Sequence, residues 1–311
     1  MDEMLQQEIM SRFPYPIARP FRKLRTDECF DPGPNRLRFT LVTAEAVSRF
    51  LAAIVLCECR NLLEEGPREL PASFERFGEQ FSRPSWGFWQ QCIREGLKLL
   101  INSGREPLVS ELAAAWFSKA PQQSPAATAL DELVTLRNQL NHEKLRVMLP
   151  HEFERVCRQT FDQLGTALQA LVFLGSYRLG FCSGIEVTKK RRLEPTFVHR
   201  IKKIAGTSED FEAARDERSF PLDSPAVLLL GSGSTRHLNL DPLLVYEAEA
   251  GAAPDIFFFN GRNRAGEVEY SACNHGGIFQ SSKARRQEEL EQEANHLVAL
   301  LSQGCAESTH E

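Results

Sequence analysis

The hydrophobic period of this chain changes near residue 180 and changes back near 282, and that pattern limits what it can fold into. A spacing of three to four residues builds one face of an amphipathic helix, whereas a period of two builds a strand. From Thr40 the helical spacing rules: LVTAEAVSRFLAAIVLCECRNLL carries apolar residues at 47, 50, 51, 54, 55 and 62. After the start signal of Pro84 and Ser85 it recurs at Trp86, Trp89, Ile93, Leu97 and Leu100, and a short helix is predicted near ELAAAWF. A third long helix starts at about Ala129, and a fourth, opened by Pro150, aligns Phe153, Val156, Cys157, Phe161, Leu164, Leu168, Leu171 and Val172 as far as about Tyr177. Beyond Gly180 and Gly184 come the short runs FVHRIKKI, AVLLL, HLNL, LLVYEA, DIFFFN and EVEYSAC, the last three spaced as an antiparallel meander. The helical period returns over 282–302, with Leu290, Ala294, Leu297 and Leu301 on one stripe. The chain therefore reads as α+β. An all-α bundle of four to five helices over 39–185 precedes a small antiparallel β-rich domain over 186–281 and a C-terminal helix and tail over 282–311.

Residues 1–38 stand apart as a Pro/Arg-rich lead-in. Five prolines between 11 and 38 argue against regular structure, so an extended segment is expected, laid across the next domain by Phe13, Tyr15 and Phe21. A length of 311 residues makes two domains the expectation, and a net charge of −5 gives no global attraction to nucleic acid, so a basic surface has to be local. Eight cysteines without regular spacing read as reduced, buried thiols. The acidic start MDEMLQQEIM lacks a secretory pattern, and the longest apolar run, Leu164 to Tyr177, falls short of the ~20 residues a membrane span needs. A cytoplasmic protein without a membrane segment is expected.

The stretch LRNQLNHEK, residues 136 to 144, breaks this bland pattern. It gathers Arg137, Asn138, Asn141 and His142 between the apolar segments LDELVTL and LRVML, and polar groups packed that tightly are costly to bury without partners. On a helix, Asn138 stacks with His142 and Arg137 with Asn141. Arg137 and His142 lie about 140° apart around the axis, so one helix does not bring them together and a two-fold pairing of two copies does. An arginine and a histidine in one cleft suit phosphodiester chemistry. The guanidinium holds and neutralises a phosphate, the imidazole gives or takes a proton near neutral pH, and the 2′-hydroxyl of RNA supplies the nucleophile. Such a scheme calls for no cofactor and no metal. A structural reading is also open, because arginine and asparagine near helix ends commonly bond carbonyls and loops.

RNQLNH resembles the signature of the HEPN superfamily, in which an arginine followed by a polar residue precedes a histidine by four to six positions. The resemblance covers about residues 40 to 182 and extends to the helical bundle. It implies a metal-independent endoribonuclease of defence or toxin type that cleaves single-stranded RNA, with Arg137 and His142 catalytic, Asn138 in support and Asn141 beside them, assembled as a homodimer through the motif helix. Other members of that superfamily are non-catalytic modules that dock onto a heterologous protein partner. The β-rich part would then be regulatory or partner-binding.

The remaining features carry weaker signals. Lys189, Lys190, Arg191 and Arg192 form a basic run able to track an RNA backbone or to serve as a solvated linker. Gly231-Ser-Gly-Ser follows an apolar strand as a phosphate loop does, but no Lys-Ser or Lys-Thr follows it, and a hairpin turn is expected. Phe257, Phe258 and Phe259 are expected to pack both faces of a central strand rather than to stack bases. Cys57-Glu-Cys59 would point its sulfurs apart on a helix, and Cys273 with His275 lacks a second ligand pair, so no zinc site is expected.

Overall fold

The computed structural model describes residues 1–119, 122–141, 149–231, 235–247, 254–273, 278–280 and 286–302. It opens with helix α1 (Glu3–Arg12), capped by Asp2, whose Oδ1 accepts the Leu5 N–H at 2.7 Å, and α2 (Tyr15–Lys23). The expected extended lead-in is therefore helical. Its prolines sit where helices tolerate them: Pro14 is the N-cap of α2, Pro16 falls in its first turn, and Pro34 is the first residue of α3 (Pro34–Glu64) after the N-cap Gly33. Only Pro20 lies inside a helix. Phe13, Tyr15 and Phe21 are buried, so the segment does lie against the body of the protein.

Helix α3 is the axis of the molecule. From Phe50 to Arg60 every residue is buried, the mark of a helix surrounded by protein on all sides. Among the described residues α3 as a whole, and not Leu164–Tyr177, is long and apolar enough to cross a membrane by composition, and most of its apolar window is buried in the core. Around it pack α4 (Phe77–Ser82), α5 (Trp86–Asn102), α6 (Glu111–Trp116), α7 (Pro125–Asn141) and α8 (Pro150–Ala170). Ser85 caps α5 by accepting the Phe88 N–H at 3.1 Å. The loop expected between α6 and α7 holds a short hairpin, β1 (Phe117–Lys119) with β2 (Gln122–Gln123), and α7 begins at Pro125 rather than Ala129. Residues 172–176 form a 3-10 turn, so α8 ends before Tyr177.

Two antiparallel sheets follow. The first, in the order β5-β4-β3-β6-β7, comprises β3 (Arg178–Thr188), β4 (Thr196–Lys203), β5 (Ala213–Arg218), β6 (Ala226–Leu230) and β7 (His237–Asn239). The second, β11-β10-β9-β8, is the expected meander of β8 (Leu244–Glu247), β9 (Asp255–Arg262) and β10 (Val268–Ala272), extended by β11 (Ile278–Gln280). The boundary expected between 185 and 186 falls inside β3. Gly180 marks a close approach instead: a Cβ there would meet Ile201 Cγ2 at 2.6 Å. The helices and the second sheet share one continuous core, in which Phe81 of α4 stacks on Phe259 at 4.1 Å between ring centres. Phe257, Phe258 and Phe259 are all buried in β9, between β8 and β10. Helix α9 (Gln287–Ser302) closes the fold on α3, α4 and β10 with Leu290, Ala294, Leu297 and Leu301, each fully buried.

Candidate functional site

The first half of α3 is amphipathic, and its open side faces the end of α7. Leu37, Leu41 and Val42 of α3, Leu140 of α7, and Pro150 and Phe153 of α8 wall a groove of about 770 Å³, into which Arg38, Glu45 and Arg137 contribute the charges. Arg38, Glu45 and Arg49 are seven and then four residues apart, which keeps them on one face of the helix. Arg49 lies deeper. Its Nη1 donates to Ser271 Oγ at 2.6 Å, its Nη2 to Asn260 Oδ1 at 2.9 Å, and its Nε lies 3.4 Å from Glu45 Oε1. Burial pulls the Arg49 guanidinium below its ordinary value, Glu45 offsets part of that, and the positive charge of Arg137 acts in the same direction as burial. Glu45 is thus engaged from below by Arg49. Two guanidiniums and one carboxylate among apolar walls suit an anion that carries an apolar or aromatic portion.

The expected cluster is only partly gathered here. Arg137 is half-buried in the groove wall, and its Nη1 lies 3.4 Å from Asn138 Oδ1, a long contact for a hydrogen bond. Asn138 is exposed and does not line the groove. Asn141 is the last residue of α7 that the structure describes. The Asn141 side chain and all of His142 lie outside the described residues, as do Ser232 to Ser234 of the glycine-serine loop, His275 and the tail after Ser302. Arg38 and Glu45 were missed because the first was assigned to the lead-in and the second to an ordinary core helix. The polar stripe at 38, 45 and 49 was the available signal.

Lys189, Lys190, Arg191 and Arg192 lie far along the chain from this groove, in the exposed turn that joins β3 to β4. They are the tip of a hairpin and not a linker. Among the described residues, His199 and the buried thiols are committed to the fold. His199 is fully buried, and its Nε2 accepts the Leu222 N–H at 3.0 Å, which leaves the proton on Nδ1, 3.1 Å from the Asp216 carbonyl. Burial pushes the Cys57 thiol up to about 12 and raises Cys59 and Cys273 as well, so none offers a thiolate nucleophile near neutral pH. No family model, curated protein or solved structure matches the chain.

Proposed function

We propose that the chain is a HEPN-like metal-independent endoribonuclease acting on single-stranded RNA, of the defence or toxin type, with its cleavage centre at the groove between α3 and α7. The observation that carries this reading is Arg137, half-buried beside Arg38 in a cleft whose walls are apolar apart from Glu45, on the helix that bears the motif. In the proposed reaction the 2′-oxygen attacks the adjacent phosphorus and the bond from phosphorus to the 5′-oxygen breaks. A 2′,3′-cyclic phosphate remains, the 2′-hydroxyl gives up its proton, and the leaving 5′-oxygen takes one. Arg137 holds the phosphate and its developing charge, and His142 moves the proton, with Asn138 in support. Two copies of α7 meeting about a two-fold axis would supply arginine and histidine to one cleft.

A second reading, a non-catalytic HEPN-like module docked on another protein, is favoured by the apolar surface near the groove: Phe30 is 79% exposed, Leu149 56% and Val42 42%. One experiment separates the two. Purified protein should cleave single-stranded RNA in EDTA and leave cyclic-phosphate ends, and His142→Ala should abolish cleavage. Mixing Arg137→Ala with His142→Ala chains should restore part of the activity if the site is shared. Equal activity in wild type and His142→Ala removes the catalytic reading.

A further inference from the structure

β3 runs past β6, while β5 accompanies β4 to Phe197, one residue short of the last rung, so it is the β3–β4 turn that projects from the end of the sheet. β6 pairs with β3 only from Arg178 to Cys182, β5 pairs with β4 from Phe197 to Lys202, and the last rung of the ribbon is Thr188 opposite Thr196. At its tip Lys189, Lys190, Arg191 and Arg192 are all exposed, flanked by Val187, 60% exposed, and Leu193, 63% exposed. Among the described residues none of these four cations has an ion pair or a side-chain hydrogen bond. Elsewhere among the described residues Arg76 is held by Glu79 and Arg158 by Glu154, whereas Arg22, Arg83, Arg155 and Arg215 are exposed without an ion pair; the tip differs in setting four such cations in succession. Near the tip, Glu186 is turned toward Arg200 at 3.9 Å, and Glu194 is exposed. Arg192 adopts φ 68°, a left-handed conformation that suits glycine, yet a cation stands there.

We propose that this hairpin is a nucleic-acid-binding arm that grips the phosphodiester backbone without regard to base sequence. Four unpaired cations in one tight turn at the end of the sheet match closely spaced phosphates. The tip carries no aromatic side chain, so bases are not read by stacking. An anionic membrane is the poorer partner: one exposed valine and one exposed leucine on either side of the turn give little apolar depth, and Glu194 carries an acid toward the headgroups. The arm stands independently of the cleavage reading.

The test is fluorescence anisotropy on the full chain in EDTA, in an Arg137→Ala background. The probes are labelled unstructured RNA, the same sequence as DNA, a duplex of each, and phosphatidylserine vesicles. Replacing all four cations by alanine should weaken nucleic-acid binding by about tenfold or more and flatten the dependence of log affinity on log salt by about 3. Arg192→Gly should flatten it by about 1 without lowering the melting temperature. Loss confined to RNA or to DNA would support the arm and identify the polymer. Unchanged affinity and slope in the quadruple variant, or wild-type binding to vesicles alone, would overturn it. Intact arm-dependent binding by a wild-type chain that never cleaves would overturn the ribonuclease reading and leave the arm standing.

Discussion

Helix α3 carries arginines toward both of its ends, and their surroundings differ. Toward the C-terminal end, Arg60 is 5% exposed and donates to the carbonyls of Asp241 at 2.7 Å and Asn239 at 2.9 Å while reaching Glu293 of α9 at 3.2 Å. Beside it Arg286, just before α9, donates to Asp241 Oδ2 at 2.7 Å. Toward the N-terminal end, Arg38 and the facing Arg137 open onto a groove in which Glu45 is the sole acid among the lining residues. A buried charge met by fixed acceptors holds distant segments in register, here α3, the turn before β8 and α9. A charge held by apolar walls but aimed into open space has binding capacity left over. The first kind belongs to architecture and the second to function.

The largest effect tests the closed end. Arg286→Ala strands Asp241 in the core and should lower unfolding free energy by about 3 to 5 kcal/mol in urea denaturation. A loss below about 1 kcal/mol would mean that the network does not hold α9 in place. The next tests the open end. Arg137→Ala should leave stability within about 0.5 kcal/mol, since a half-buried side chain with one long contact is removed, yet lower RNA cleavage by about 10²- to 10³-fold. If the variant unfolds instead, Arg137 is structural and the contrast between the two ends collapses.

The third prediction asks which force governs Asp241. Burial raises its carboxyl to about 6 from an ordinary 3.8, with Arg286 acting against the rise. A carboxyl raised on folding binds its proton more tightly in the native state. Its stabilising contribution is therefore complete below about pH 4 and is lost as pH climbs through about 6. Wild type should lose on the order of 1 to 3 kcal/mol relative to Asp241→Asn between those pH values, read from paired melting curves. If pairing with Arg286 outweighed burial, the gap would move in the other direction, wild type gaining as pH rises.

This comparison also bears on how far the sequence could be read. Periodicity located α5, α8 and α9, because each carries one apolar face that the pattern records directly, and short apolar runs set off by turn residues located the β8–β10 meander, whose β8 and β9 are buried on both faces. The pattern failed where a residue has two roles. Pro14, Pro16 and Pro34 read as breakers when they begin helices, and Gly180 and Gly184 read as a boundary when they sit within β3. Arg137 could be singled out from its neighbours in a polar cluster. Asp241 and Arg286 could not, because their partners lie on other elements and such pairings leave no periodic trace, whereas Arg38 and Glu45 leave only the polar stripe they share with Arg49 on one face of α3. The exposure of the basic run was expected, whereas its place on a hairpin depended on pairing between strands that single-strand patterns do not encode.

The smallest effect falls on the hairpin, where the open kind of charge occurs without any groove. Arg192 at φ 68° occupies a conformation that costs an ordinary residue roughly 1 to 2 kcal/mol. Glycine relieves that cost but loses about 0.5 to 1 kcal/mol through the greater freedom of the unfolded chain. Arg192→Gly should thus be neutral or stabilising by up to about 1 kcal/mol, a rise of a few degrees at most in thermal melting. Arg192→Ala removes the same charge but keeps the strained backbone, so it should melt with wild type or slightly below it. Higher stability in the glycine variant alone would place the cost in the backbone and assign the side chain no part in holding the fold. If both variants melt well below wild type, Arg192 makes contacts that stabilise the hairpin, and it belongs with Arg60 and Arg286 instead of with Arg137.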